Sequence, residues 1–159
     1  MKPNEEPSVQ AYVRLVRSAE GLHGEVSRGL AIDGLSASQF STLKVLRIHG
    51  KLAQRDIAKY ILKSGGNITV IVDNLEREGL VQRNRDTTDR RIIYVSLTPA
   101  GEAKFDELYP DHLSRIREVM APLTDAECEQ LTLLLRKVSP DYVEISCSPA
   151  SPNEDASRH

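Results

Sequence analysis

Asp89, Arg90 and Arg91 stand together in the polar stretch DTTDRR, residues 86–91. The chain then alternates into Ile93, Val95 and Leu97 and stops at Thr98-Pro99, a helix-start pair. A guanidinium on a flexible polar loop at the mouth of a short strand can reach a narrow, negatively charged slot. Asp89 is placed to orient a neighbouring arginine rather than to touch a polyanion itself. Upstream, SGGNITVIVDNLER carries a second set of short polar side chains. Asn, Thr and Ser can bond base edges or phosphate oxygens, and Val70 can meet a thymine methyl. Gly65 and Gly66 let backbone approach backbone, and a helix N-terminus favours phosphate. The residues assigned to this chemistry are Ser64, Gly65, Gly66, Asn67, Thr69, Val70, Asn74, Arg77, Arg85, Asp89, Arg90 and Arg91.

The elements that must position them can be read from periodicity. Residues 8–31 form a first long helix, with Tyr12, Val16, Ala19, Leu22, Val26 and Leu30 on one stripe and Asp33-Gly34 as its stop. Ser36 and Gln39 are spaced as a capping box for a second helix, which buries Phe40, Leu43, Val45 and Leu46 and ends at Gly50. AQRDIAKYIL is a short third helix, with Ile57, Ala58 and Ile61 inward. A fourth starts from Ser64 as N-cap, turns Ile68, Ile71, Val72 and Leu75 to the core and closes at Gly79. Val81–Arg85 and Arg91–Leu97 switch to period two around a polar turn, which is a hairpin. A long helix runs from Thr98-Pro99 to about Met120, with a kink expected at Pro110. Thr124 and Glu127 form another capping box, ahead of the stripe Leu131, Leu134, Leu135 and Val138.

Two short helices around a tight connection make a helix-turn-helix, and a hairpin directly after makes it winged. The expected fold is therefore mainly α with a small β-hairpin wing. The winged helix-turn-helix spans 35–98, helical flanks occupy 8–34 and 99–138, and 139–159 is a Pro/Ser-rich loose tail. Charge is segregated in the same way. Residues 51–98 hold nine Lys and Arg against six Asp and Glu, a balance of +3, inside a chain of net charge −2. A basic middle between acidic flanks is what phosphate contact requires.

LSASQFSTLKVL, SGGNITVIVDNLEREGLVQR and DTTDRRIIYVSLTPAGE together resemble the MarR family of bacterial winged-helix regulators, over roughly residues 8–138. Asp89, Arg91, Leu97, Thr98 and Gly101 fall on that family's wing signature. The resemblance implies that Arg91 is the wing-tip arginine, Asp89 its orienting partner and Arg90 the variable residue between them. It also implies a homodimer built from the N- and C-terminal helices, with a ligand pocket between that region and the winged domain. Effector contacts are expected from Tyr12, Arg17, His23 and Tyr109. Departures from the family pattern are Ala53 where a Ser or Thr cap is usual, the absence of Trp, and two cysteines, Cys128 and Cys147, that both lie late in the chain. These argue against the urate-responsive and hydroperoxide-sensing branches, and the scattered His23, His49 and His112 argue against zinc sensing.

Other chemistry has no support in the residues. There is no GxSxG, GxxxxGK[ST], HExxH or paired CxxC, so an enzyme is not expected, nor a cofactor or metal. Asp106, Glu107 and His112 read as a solvated helix face. No apolar run of about 18 residues is present, and an unpaired cysteine pattern matches a reducing cytoplasm. The function expected is a ligand-responsive transcriptional regulator, a repressor, that binds a pseudo-palindromic double-stranded operator as a homodimer. The competing class is a winged-helix protein-interaction module without DNA affinity, which should lack a basic wing and a small-polar reading face.

Overall fold

A turn of backbone at Gly79 and one oxygen of Thr98 tie together the elements that carry the polar clusters. The computed structural model describes residues 6–61 and 65–140. Ser64, Cys147 and the tail beyond residue 140 lie outside the described residues. The elements run α1 (Pro7–Ile32), α2 (Ala37–His49), β1 (Leu52–Ala53), α3 (Gln54–Tyr60), α4 (Gly65–Arg77), β2 (Val81–Arg85), β3 (Ile93–Leu97), α5 (Pro99–Met120) and α6 (Asp125–Val138). They group into two compact units. One joins the described residues up to Ala37 with Leu108–Leu134, and the other joins Ser38–Glu107 with those from Leu135 on.

The second unit holds most of the buried core. α2 buries Phe40, Leu43, Val45 and Leu46 as its three- and four-residue spacing dictates, and also Thr42, whose hydroxyl donates to the Ser38 carbonyl at 2.8 Å. α3 contributes Ile57 and Ala58, and α4 contributes Ile68, Val72 and Leu75, while Ile61 and Ile71 are only half-buried. Phe105 of α5 stacks on Phe40 with ring centroids 5.3 Å apart. That contact explains why the start of α5 belongs to this unit although the rest of the helix does not. The helix runs unbroken through Pro110.

The sheet has three strands rather than the two of the expected hairpin. Its order is β1-β3-β2, all antiparallel, with Leu52 opposite Val95 and Val81 opposite Leu97. β1 is only two residues long, too short to show an alternating pattern. It also accounts for Ala53. That residue precedes α3 without a side-chain cap, because it is a buried strand residue paired with Tyr94. β3 begins at Ile93, so Arg91 lies in the turn and not in the strand as its position suggested.

The α4 C-terminus closes on Gly79 at φ 74°, a left-handed conformation that glycine adopts without a Cβ penalty. The Leu80 amide donates to the Leu75 carbonyl and the Gly79 amide to the Glu76 carbonyl, both at 2.9 Å, the paired bonds of a Schellman ending. Thr98 then locks that turn to α5. Its amide donates to the Leu80 carbonyl at 3.1 Å, and its hydroxyl donates to the Gly79 carbonyl at 2.6 Å. The same oxygen accepts from the Gly101 amide at 3.0 Å, capping the helix. Thr98→Ala should therefore lower unfolding free energy by ~1–2 kcal/mol. A urea midpoint equal to that of the parent protein would show that the hydroxyl carries no such role.

In the first unit, α1 buries only Leu30 and α6 buries none of its residues. Arg115 of α5 donates to Asp33 at 3.0 Å and lies across Gly29, where any side chain would collide with it. One of the glycines that weaken α1 as a helix thus makes room for an ion pair. The Thr124 capping box forms as expected. The Thr124 amide donates to the Glu127 carboxylate at 2.8 Å, and the Glu127 amide returns to the Thr124 hydroxyl at 3.3 Å. The Thr124 amide foremost, and then the Thr124 hydroxyl, which donates to the same carboxylate at 3.0 Å, hold the Glu127 carboxyl below its ordinary range.

Candidate nucleic-acid interface

α4 turns its apolar stripe inward and leaves Asn67, Thr69, Val70 and Arg77 exposed, with Asn74 half-buried. Val70 is 58% exposed, which is unusual for a β-branched apolar residue in a helix that buries its neighbours so fully. Gly65 and Gly66 form the first turn. Arg77 donates to Asn74 at 3.2 Å, so these two act as a pair. The Thr69 hydroxyl accepts from Gln54 of α3 at 3.1 Å, which ties this side chain to the preceding helix.

The wing turn, residues 86–92, is built on carboxylates. Asp86 accepts from the Asp89 amide at 3.0 Å, and the Asp86 amide donates to the Ile92 carbonyl at 3.0 Å. Asp89 in turn clasps Arg91. One of its oxygens accepts from the Arg91 amide and Nε, both at 3.1 Å, and the other accepts from Nη2 at 3.2 Å. The Arg91 side chain is 90% exposed and so is aimed by the clasp without being covered. The hydrogen bonds from Arg91 hold the Asp89 carboxyl below the usual carboxylate range, and the positive charge of Arg55 adds to the effect. Because the shift is downward, the clasp persists as pH falls through the ordinary carboxylate range and opens only below it. Arg85 donates to the Arg90 carbonyl at 3.2 Å and braces the base of the turn, and Arg90 projects outward.

Residues that the sequence reading left out of the site are Gln54, Asp86 and Arg83. Arg83 shares a strand face with the buried Val81, and an inward-facing arginine needs acidic partners; that alternation was the available signal. The structure does not gather the four candidate effector residues. Tyr12, Arg17 and His23 are exposed on α1, and Tyr109 is half-buried on α5. At about 100° per residue, Tyr12 and His23 lie within ~20° of one another but about three turns apart along α1, and Arg17 points ~120–140° away from both. Among the described residues, a concavity of 1020 Å³ follows the first half of α1 from Pro7 to Ser18. Arg17 lines it, and the other three do not. No described group of three His, Cys, Asp or Glu is disposed to hold a metal ion, and no described helix is long and apolar enough to cross a membrane.

A helix-turn-helix with an arginine-tipped wing directly behind its second helix is a DNA-binding class of fold. Within that class the chain is more specific. The model of the MarR family matches residues 35–93. The chain is 34% identical to the HTH-type transcriptional repressor NicR of Pseudomonas putida, over 78% of its own length and 79% of that protein. It is 29% identical to the HTH-type transcriptional regulator MhqR of Bacillus subtilis, over 84% and 92% of the two chains. Among solved structures it is similar to BpsR of Bordetella bronchiseptica, whose DNA binding is regulated by 6-hydroxynicotinic acid. That likeness has a TM-score of 0.76 at 27% identity and covers 82% of this chain and 98% of BpsR. The chain belongs to the MarR family. It is a DNA-binding transcriptional regulator and not an enzyme.

Proposed function

We propose that the protein is a ligand-responsive repressor that works in the cytoplasm, as a homodimer on a pseudo-palindromic operator. α4 enters the major groove and the wing enters the adjacent minor groove. The observation that carries this reading is the Asp89 clasp on an otherwise uncovered Arg91. A guanidinium held in place by a carboxylate, with its outer edge open, suits the narrow minor-groove slot. Asn67, Thr69 and Val70 are the base-edge readers, with Gly65, Gly66 and Ser64 against phosphate, and Asn74, Arg77, Arg85 and Arg90 as flanking contacts. Repression and a small-molecule effector are supported by the similarity to NicR, a named repressor, and to BpsR, which a small molecule regulates. Arg17 is the leading effector contact of the four candidates, since it alone lines the α1 concavity.

Arg91→Ala should weaken operator binding by ~1–3 kcal/mol while leaving the fold intact. Asp89→Asn should lose a smaller part of the same free energy, because it loosens the arginine without removing it. A gel-shift titration in which Arg91→Ala binds like the parent protein would remove the wing from the interface.

A further inference from the structure

Arg83 stands two residues from Arg85 on the same strand, in the basic stretch that faces DNA under the reading above. Its surroundings set it apart. Its side chain is 19% exposed, against 90% for Arg91. Every nitrogen of its guanidinium has a partner inside the winged unit. Nε donates to Gln54 of α3 at 3.0 Å. Nη1 meets Glu76 at 2.9 Å and Asp73 at 2.6 Å, both on α4. Nη2 donates to the main-chain carbonyl of Thr69, also on α4, at 3.3 Å. The Arg83 amide donates to the second oxygen of Glu76 at 3.2 Å. A residue of the wing strand thereby holds α4 by two carboxylates and a carbonyl, and holds α3 by an amide. Gln54 extends the hold, since the same side chain donates to Thr69 at 3.1 Å.

We propose that Arg83 is a positioning residue that sets the angle between the reading helix and the wing, and that it makes no phosphate contact. Both arms must fit the duplex at once, the helix in one groove and the clasped Arg91 in the next. An arginine whose planar fork joins its own strand to two helices fixes that geometry in a way a point charge cannot. Its charge is spent on Asp73 and Glu76, so little remains for the DNA backbone. Gln54 serves the same end from α3, and Thr69 is the base-edge candidate held nearest to the cluster. The inference rests on the DNA-reading role proposed above and names how its two contact surfaces are kept in register.

The test measures binding of the full-length protein to its selected operator and to random duplex, across a salt series. Loss of a phosphate contact reduces the slope of log affinity against log salt by about one. Arg85→Ala is the comparison, and its slope should fall by that amount. Arg83→Met should keep the parent slope and lose about tenfold of the operator-over-random ratio, the discrimination of roughly one base pair. Arg83→Lys should keep the charge and still lose most of that ratio. Glu76→Gln, which leaves Arg83 in place, should lower the ratio in the same direction and serves if Arg83→Met fails to fold. A reduced slope for Arg83→Met, or full rescue of the ratio by Arg83→Lys, would overturn the inference while leaving the DNA-reading role standing. A parent protein with no salt-dependent affinity for duplex would overturn that role and the inference with it.

Discussion

Gly101→Ala is expected to lower unfolding free energy by about 3 kcal/mol, near the upper end of what overpacking costs. Local propensity argues the other way. Gly101 lies in the first turn of α5, and alanine is the better helix former by ~1 kcal/mol in a helix interior. Packing decides the sign. A Cβ at this position would collide with the carbonyl oxygen of Leu80, and the atoms in the way are backbone, not a side chain that can rotate aside. That same carbonyl accepts from the Thr98 amide, and the residue before it is the left-handed Gly79 that ends α4. Relieving the collision therefore means lifting α5 off the turn, which also strains the Thr98 cap and the Phe105–Phe40 stack. In a chain of this size the loss corresponds to a fall in melting temperature of roughly 6–12 °C. A variant that melts at or above the parent temperature would mean that the turn yields easily and that glycine is not required there.

This glycine marks the limit of what could be read from residue order. Gly101 is visible in the sequence as part of a family signature, as are Leu97 and Thr98. The reason for it is a contact with Leu80, which period and propensity do not report. Helix limits were legible because their stop signals are local chemistry. Asp33-Gly34, Gly50 and Gly79 end helices where they stand, and Thr124 with Glu127 starts one. The wing was legible as far as its alternation ran. It failed at Arg91, which turn hydrogen bonds hold out of the strand. β1 stayed hidden because two residues carry no period. The polar network around Arg83 was hidden for another reason. It joins residues from three elements, and only the fold shows that an arginine in a basic stretch faces two acids. The three effector candidates on α1 were chosen by residue type, but Arg17 points ~120–140° away from Tyr12 and His23, so they do not converge on one point.

Full operator affinity should depend on two copies of the chain. Val9, Tyr12, Val13 and Val16 recur along α1 at spacings that share a face, and Tyr12 is 67% exposed. On α6, Leu131, Leu134, Leu135 and Val138 repeat the pattern, with Leu134 51% and Val138 71% exposed. Scattered apolar residues on a surface need no explanation, but a continuous apolar stripe along a helix drives association when it is left uncovered. A two-fold dimer that hides both stripes presents two reading helices, and these meet successive major grooves when the half-sites lie ~34 Å apart. Affinity for the whole operator then exceeds that for one half-site by roughly 10²–10⁴-fold, since the second contact is made intramolecularly. Under the proposed ligand response, an effector would act by binding one spacing of the pair more tightly than another. Sedimentation at low micromolar concentration should show a dimer, and Leu134→Asp should shift it to monomer and lose most of that gain. The Arg91 clasp and the winged unit remain intact in that variant, so its half-site affinity should stay near the parent value. A monomeric parent protein that binds one half-site as tightly as the full operator would show that a single copy is the working form and that spacing carries no regulation.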